Sequence, residues 1–267
     1  MKKNKNILYI LFFIFIIILF TLVYNLYIKK NKESFTNNIE IVIARYNENL
    51  NWLNDEPFND IPVIVYNKGP NENFIKNEHI YKIVPLPNIG REMHTFFYHI
   101  IENYENLANV TIFLVGSTDS PWKMEKAKPV VLKIKETNNT TMSCNEDENI
   151  MNKIQEFQID NYMSSNSNNS DINNDENMKK SDIRPYGKWY ESTFVNNEKN
   201  TCIGYNSVFG ISRKHILQKP KSYYENLLNQ VNDHQNLETV HYIERSWYAI
   251  FYPYDEINII PCTSCNF

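Results

Sequence analysis

The stretch PLPNIGREMHTFFYHIIENYENL, Pro85–Leu107, decides how the chain folds. A Pro-containing exit from an apolar run reaches Asn88 and Gly90, and a helical pattern begins at once. Met93, Phe96, Phe97, Ile100, Ile101, Tyr104 and Leu107 recur at the spacing of one apolar helix face. Upstream lie three short apolar runs, Ile39–Ala44, Ile61–Gly69 and His79–Leu86; downstream lies a fourth, VTIFLVG, Val110–Gly116. Continuous apolar strands alternating with helices predict an α/β fold, a mostly parallel sheet with helices on both faces. Farther on, Asn206–Arg213 reads as another strand, Pro220–Val231 and Asn236–Phe251 as two helices, and Ile257–Ile260 as a last strand.

The start of the first long helix poses a question. Helix N-termini are electropositive and favour acidic residues. Glu92 obeys that rule and Arg91 does not. An anion at this spot would explain Arg91, because the helix end and the guanidinium both attract phosphate. A surface ion pair of Arg91 with Glu92 or Glu48 is the structural alternative.

The rest of the chain frames that domain. Its 267 residues carry a net charge of −4, so a nucleic-acid surface is not expected. After a tail at 1–6, Ile7–Ile28 is apolar over the length of a bilayer span. Lys2, Lys3 and Lys5 before it nearly balance Lys29, Lys30 and Lys32 after it. The run is too long for a cleavable signal, and no small-residue cleavage site follows. It reads as a signal anchor in the membrane, with the N-terminus cytosolic. A stem at 29–38 and the α/β domain at 39–267 would then be lumenal or extracellular. The Asn-, Ser- and Asp-rich residues 136–182 read as a polar insertion or flexible loop, with one short helix near Met151–Tyr162. Cys144, Cys202, Cys262 and Cys265 allow two disulfides, and a lone C-x-x-C argues against zinc. Sequons at Asn138-Asn139-Thr140 and Asn168-Asn169-Ser170 agree with a lumenal side.

Ligands of open parallel sheets bind beyond the carboxyl ends of the strands. Those ends carry Arg45–Glu48, Asn67–Gly69, Asn88–Arg91 and Gly116–Asp119. Arg45, Asn67, Lys68, Asn88, Gly90 and Arg91 are therefore candidate substrate-binding residues. Asp119-Ser120-Pro121 reads as a helix cap. In the last helix, Val240, Glu244, Trp247 and Phe251 fall on one face. A carboxylate among such side chains needs a partner or shifts its pKa upward. Glu244 is thus a candidate general base, with Arg245 and His241 beside it and Arg245 joining the substrate-binding set. A structural Glu–Arg pair is the alternative. Tyr186, Trp189 and Tyr190 suit either sugar stacking or core packing.

Together these segments resemble an uncharacterised domain-of-unknown-function family, number 3431. The resemblance is carried by ARYNENLNWL, YNKG, LPNIGREMHTFFYHIIENYENL, TIFLVG, YNSVFGISRKHI and HYIERSWYAIF, which cover most of Ile39 to Phe251. Val115 departs from it, standing where a Gln is expected. That family looks distantly like glycosyltransferases of the GT-A fold. There an N-x-G turn, a helix and an apolar strand lead to an Asp-x-Asp that holds a metal on the donor diphosphate. Here the order is kept, but the Asp-x-Asp position reads Val115-Gly116-Ser117. The resemblance implies a Rossmann-like, membrane-anchored glycosyltransferase that takes a nucleotide-sugar donor and a glycan acceptor. Cations such as Arg91 and Lys68 would stand in for a divalent metal, whose carboxylate ligands are missing. The alternative is a non-catalytic membrane-anchored module that binds glycans or protein. A hydrolase finds no recognisable nucleophile elbow.

Overall fold

The computed structural model describes residues 14–21, 24, 39–72, 74, 78–160, 178–194 and 200–262. The chain divides into two units, Met1–Asn38 and Ile39–Phe267. In the first, residues 14–21 and 24 are helical. No helix among the described residues is long and apolar enough to cross a membrane. Most of the expected anchor at 7–28 lies outside the described residues, as do the tail, the stem up to residue 38, the Asn168 sequon and Cys265.

Among the described residues the second unit holds seven strands: β1 (Ile39–Arg45), β2 (Val63–Asn67), β3 (Ile80–Pro85), β4 (Val110–Val115), β5 (Thr141–Asn145), β6 (Ile203–Ser212) and β7 (Asn258–Pro261). Their order across the sheet is β3-β2-β1-β4-β6-β5-β7. The first four are parallel, β6 is antiparallel to both β4 and β5, and β7 is parallel to β5. The sheet is therefore mixed, which corrects the expectation of a mostly parallel one. A continuous apolar run reports burial on both faces and reads the same in either direction. The route of the connecting chain sets direction, and β6 enters after the long excursion that follows β5.

Among the described residues, eight α-helices accompany the sheet: α1 (Arg91–Glu102), α2 (Pro121–Thr137), α3 (Glu148–Ile154), α4 (Tyr186–Thr193), α5 (Arg213–Ile216), α6 (Lys221–Asn229), α7 (Glu238–Glu244) and α8 (Trp247–Phe251). Alternation along β1 splits the core in two. Val42 and Ala44 pack with α1 and an aromatic cluster that includes Phe96, Phe113, Phe209 and Trp247. Ile41 and Ile43 pack on the other face with Trp52 and with Val130 and Ile134 of α2. Tyr186, Trp189 and Tyr190 are buried in the first cluster, so they fill core.

Two local readings change. The polar run at 136–182 holds β5, an interior strand between β6 and β7, and its short helix is α3. The run looks like a loop because β5 is T-M-S-C-N, whose side chains from Thr141 to Cys144 are nevertheless buried. A Cys144–Cys202 disulfide ties β5 to the segment entering β6, with Cα atoms 5.4 Å apart. The expected helix Asn236–Phe251 is two helices, broken at Arg245–Ser246. There Ser246 N–H bonds back three residues to Ile243 at 2.8 Å, and the Ser246 hydroxyl meets Tyr242 O and Tyr186 Oη.

Candidate functional site

The chain leaves β1 for β2 and β3 on one side, then returns to place β4 on the other. Such a reversal opens a crevice at the carboxyl ends of the two strands. Here the crevice lies beyond Arg45 and Val115.

At the end of β1, Arg45 is fully buried. Its guanidinium donates to Glu48 O at 2.7 Å, to Asn71 O at 2.6 Å and to Asn67 Oδ1, and stacks 4.1 Å from the Phe74 ring centroid. Asn67 in turn donates to Gly69 O at 2.9 Å. The two residues lock the turns after β1 and β2. The Glu48 carboxylate accepts from Tyr46 N at 2.8 Å and Asn47 N at 3.0 Å. It also lies against Gly116, where a Cβ would come within 2.6 Å of Glu48 Oε2. That close approach explains a glycine at the end of β4.

The turn that opened the sequence question is tightly stitched. Gly90 and Arg91 both have left-handed φ angles, 57° and 47°. A Cβ on Gly90 would sit 1.9 Å from Val231 O, so only glycine fits. Gly90 N donates to His234 O at 2.8 Å, Asn88 Nδ2 to Gln235 Oε1 at 3.3 Å, and Arg91 Nη2 to Asn236 Oδ1 at 3.0 Å. Lys68, also buried, donates through Nζ to both Ile89 O and Arg91 O. Arg91 thus begins the helix through a left-handed turn whose carbonyls a buried ammonium captures.

Burial pushes the Lys68 ammonium down to about 7, with Glu92 opposing and Arg91 assisting. The unfolded chain then binds the extra proton between about pH 7 and its ordinary value near 10.4. Stability contributed by Lys68 should rise with pH through this window and be lost as pH falls through 7. Thermal unfolding of the wild type and Lys68→Met at pH 7 and pH 9 checks this. The wild type should gain several degrees relative to the variant, and a parallel pH response would refute it.

On the far side of the crevice, β6 swells outward. Met142 pairs with Phe209 and Cys144 with Gly204, so two steps on β5 match five on β6. Such bulges re-aim side chains beside sites. Ser207, with φ 48°, donates to Glu92 Oε1 at 3.2 Å. The Arg245 guanidinium lies 4.7 Å from the Tyr205 ring centroid and 4.0 Å from that of Phe157, and donates to His241 O at 2.8 Å.

Glu244 ends α7, with Arg245 Nη1 3.3 Å and His241 Nδ1 4.0 Å from its Oε2. The helix break turns it away from the apolar stripe, so it faces charged groups. The expected neighbours Arg245 and His241 are in place, and the Arg245 contact is the Glu–Arg pair that the sequence also allowed. Burial, then Arg91, then Arg245 hold His241 far below its ordinary pKa, which leaves it neutral. Arg91 and the Glu244–Arg245 pair thus share His241 as a common neighbour.

The sequence reading missed the first turns of α2. Ser120 and Pro121 occupy the cap and N1 positions as expected, although no side chain bonds the cap. Lys123 Nζ donates to Ser117 Oγ at 2.5 Å. Burial lowers the Lys123 pKa, against Glu92, Glu48, Glu244 and Asp119 in that order. Lys126 is lowered by burial too, against Glu244. Lysines three apart after a strand end were the available signal, and helix capping had accounted for that stretch. Glu48, Glu92 and Ser207 carried no pattern, because the sheet alone brings them together.

The residues at the Asp-x-Asp position, Val115-Gly116-Ser117, offer no carboxylate, and among the described residues no group of three His, Cys, Asp or Glu side chains suits a metal. At the opposite end of the sheet, Asp255 Oδ1, His215 Nε2, His215 Nδ1 and Ser212 Oγ form a chain at 2.7 and 2.9 Å. It is a structural network. Thr140 Oγ1 takes the same Nδ1 at 2.6 Å, Ser212 is buried, and the next N–H, that of Arg213, is bonded to Asn109 O.

A family described as "Protein of unknown function (DUF3431)" matches residues 41–265, and the chain belongs to that family. No curated protein matches it.

Proposed function

We propose that the crevice is the donor site of a glycosyltransferase, with Glu244 as its general base. The observation that carries this reading is a carboxylate and four cations, Arg91, Lys123, Lys126 and Arg245, brought by separate helices to one topological switch point. In the proposed step, Glu244 accepts the proton of an acceptor hydroxyl. The acceptor oxygen bonds the anomeric carbon of the donor, and the bond to the nucleoside diphosphate breaks. Its electron pair leaves on the diphosphate, where the cations oppose the growing charge. Membrane anchoring through residues 7–28 with the domain in a lumen belongs to the same proposal, and the Cys144–Cys202 disulfide supports an oxidising compartment.

The test is a panel of nucleotide sugars offered to the full chain with and without glycan acceptors. One donor should raise the unfolding temperature and be consumed. Glu244→Gln should keep that shift and lose turnover about 100-fold or more. Full turnover in the variant removes Glu244 from the chemistry. The 3.3 Å Glu244–Arg245 pair favours a second reading, a non-catalytic glycan-binding module. Stabilisation by glycans alone, with no donor consumed, would select it.

A further inference from the structure

The sequence placed the anion at Arg91 and Lys68, yet Lys68 is committed to two backbone carbonyls and Arg91 to Asn236. Two other ammonium groups behave differently. Lys126 is 5% exposed as a residue, and its Nζ is not fully buried, so the ammonium reaches solvent. Among the described residues it makes no hydrogen bond or ion pair, and it lies 5.8 Å from the Trp122 ring and within the field of Glu244. A cation that has only solvent for a partner is open to an anion. Lys123, one helical turn earlier, is anchored to Ser117 at the end of β4 and depresses the Lys126 pKa by like-charge repulsion. Like charges three apart on a helix destabilise it unless something of opposite sign joins them. Three neighbouring carboxylates have other contacts, Glu48 with two backbone N–H groups, Glu92 with Ser207 and Glu244 with Arg245, while Asp119 and Glu125 act on the two lysines through their fields alone.

We propose that Lys123 and Lys126, on the first turns of α2, form the diphosphate-binding site of this crevice, with Lys126 supplying the unfilled ammonium. Lysine suits this as a compact cation with three donors. The inference rests on the switch-point reading and makes it more specific. A fixed ammonium pair beside Ser117 takes the place of the Asp-x-Asp and its metal. Ser117 positions Lys123, and Lys126 meets the second phosphate.

Inorganic pyrophosphate separates this inference from the transferase reading. Added to the full chain without divalent metal, it should raise the unfolding temperature, because a ligand bound only by the folded state stabilises it. Lys126→Met should weaken pyrophosphate binding tenfold or more in titration calorimetry, Lys123→Met should weaken it as well, and Lys126→Arg should retain most of it. Lys126→Gln serves if the Met variant does not fold. Unchanged pyrophosphate affinity in the Lys126 variants, or none in the wild type, overturns the site. Lys126-dependent pyrophosphate binding with no nucleotide sugar consumed would overturn the transferase reading and leave the site standing. Normal donor turnover in Lys126→Met would do the reverse.

Discussion

Deleting residues 138–182 should abolish cooperative folding, even though the segment reads as a dispensable polar loop. The deletion removes β5, and with it the strand that joins β6 to β7. β6 loses the partner on one edge, and β7 loses the strand it pairs with. Met142, Ile150 and Ile154 leave the core. Each such loss costs about 2–5 kcal/mol by analogy with large-to-small core substitutions. The Cys144–Cys202 cross-link goes too, closing a separation of 58 residues and typically contributing about 2–4 kcal/mol. Together these are as large as the roughly 5–15 kcal/mol by which a domain is stable. Urea unfolding followed by fluorescence and circular dichroism is the measurement. A single coincident transition in the deletion variant would show that β5 adds little.

The second large effect belongs to Glu238, which no sequence pattern singles out. Its carboxylate is completely buried at the start of α7. It accepts from Ile159 N at 3.0 Å, Ser181 N at 2.9 Å and Tyr242 Oη at 2.8 Å, and pairs with Arg184 Nε at 2.8 Å. One side chain thereby fastens both described ends of the excursion between β5 and β6. Glu238→Ala should destabilise the domain by about 3–5 kcal/mol, because removing one partner of a buried pair leaves an uncompensated cation and unbonded N–H groups. Glu238→Gln keeps the shape and part of the bonding, and should cost less. Asp160→Ala removes the other, solvent-exposed partner of Arg184 and should change little. Equal midpoints in denaturant for Glu238→Ala and the wild type would refute the clamp.

The sequence also bears on pH. Glu40 is buried, which raises its pKa, but bonds from His99 and Tyr81 and the field of Lys82 prevail and hold it below the ordinary carboxylate value. A depressed carboxylate contributes stability above its unfolded pKa, near 4.3, and loses it as pH falls through the folded value. Its contribution therefore fades only in acid, well away from the neutral-to-basic window of Lys68.

Several features were legible before folding because they are local. Four apolar strands, the α1 stripe and the strand ends where a site should lie follow from side-chain periodicity, and periodicity is a property of neighbours in sequence. Gly90 and Gly116 sit where a Cβ would meet Val231 O at 1.9 Å and the Glu48 carboxylate at 2.6 Å. What a polar side chain touches is not local. Arg45, Asn67 and Lys68 read in the sequence as ligand-binding residues, and the fold adds that their donors close loops at the strand ends. Glu244 was placed by a helical wheel that assumes an unbroken helix, and the break at Arg245–Ser246 turned it from apolar neighbours to cations. β5 was hidden by composition, because two hydroxyls and a disulfide half-cystine look polar in sequence and are buried once flanking strands satisfy them. Strand direction, the β6 bulge that delivers Ser207 to Glu92, and the meeting of Lys123 and Lys126 with Glu244 depend on pairings between residues far apart in the sequence. The sequence by itself determined the first four strands, the apolar face of α1 and where those strands end. Only the tertiary structure decided which charges face each other there, since separation through space sets the strength of an electrostatic interaction and the order of residues does not.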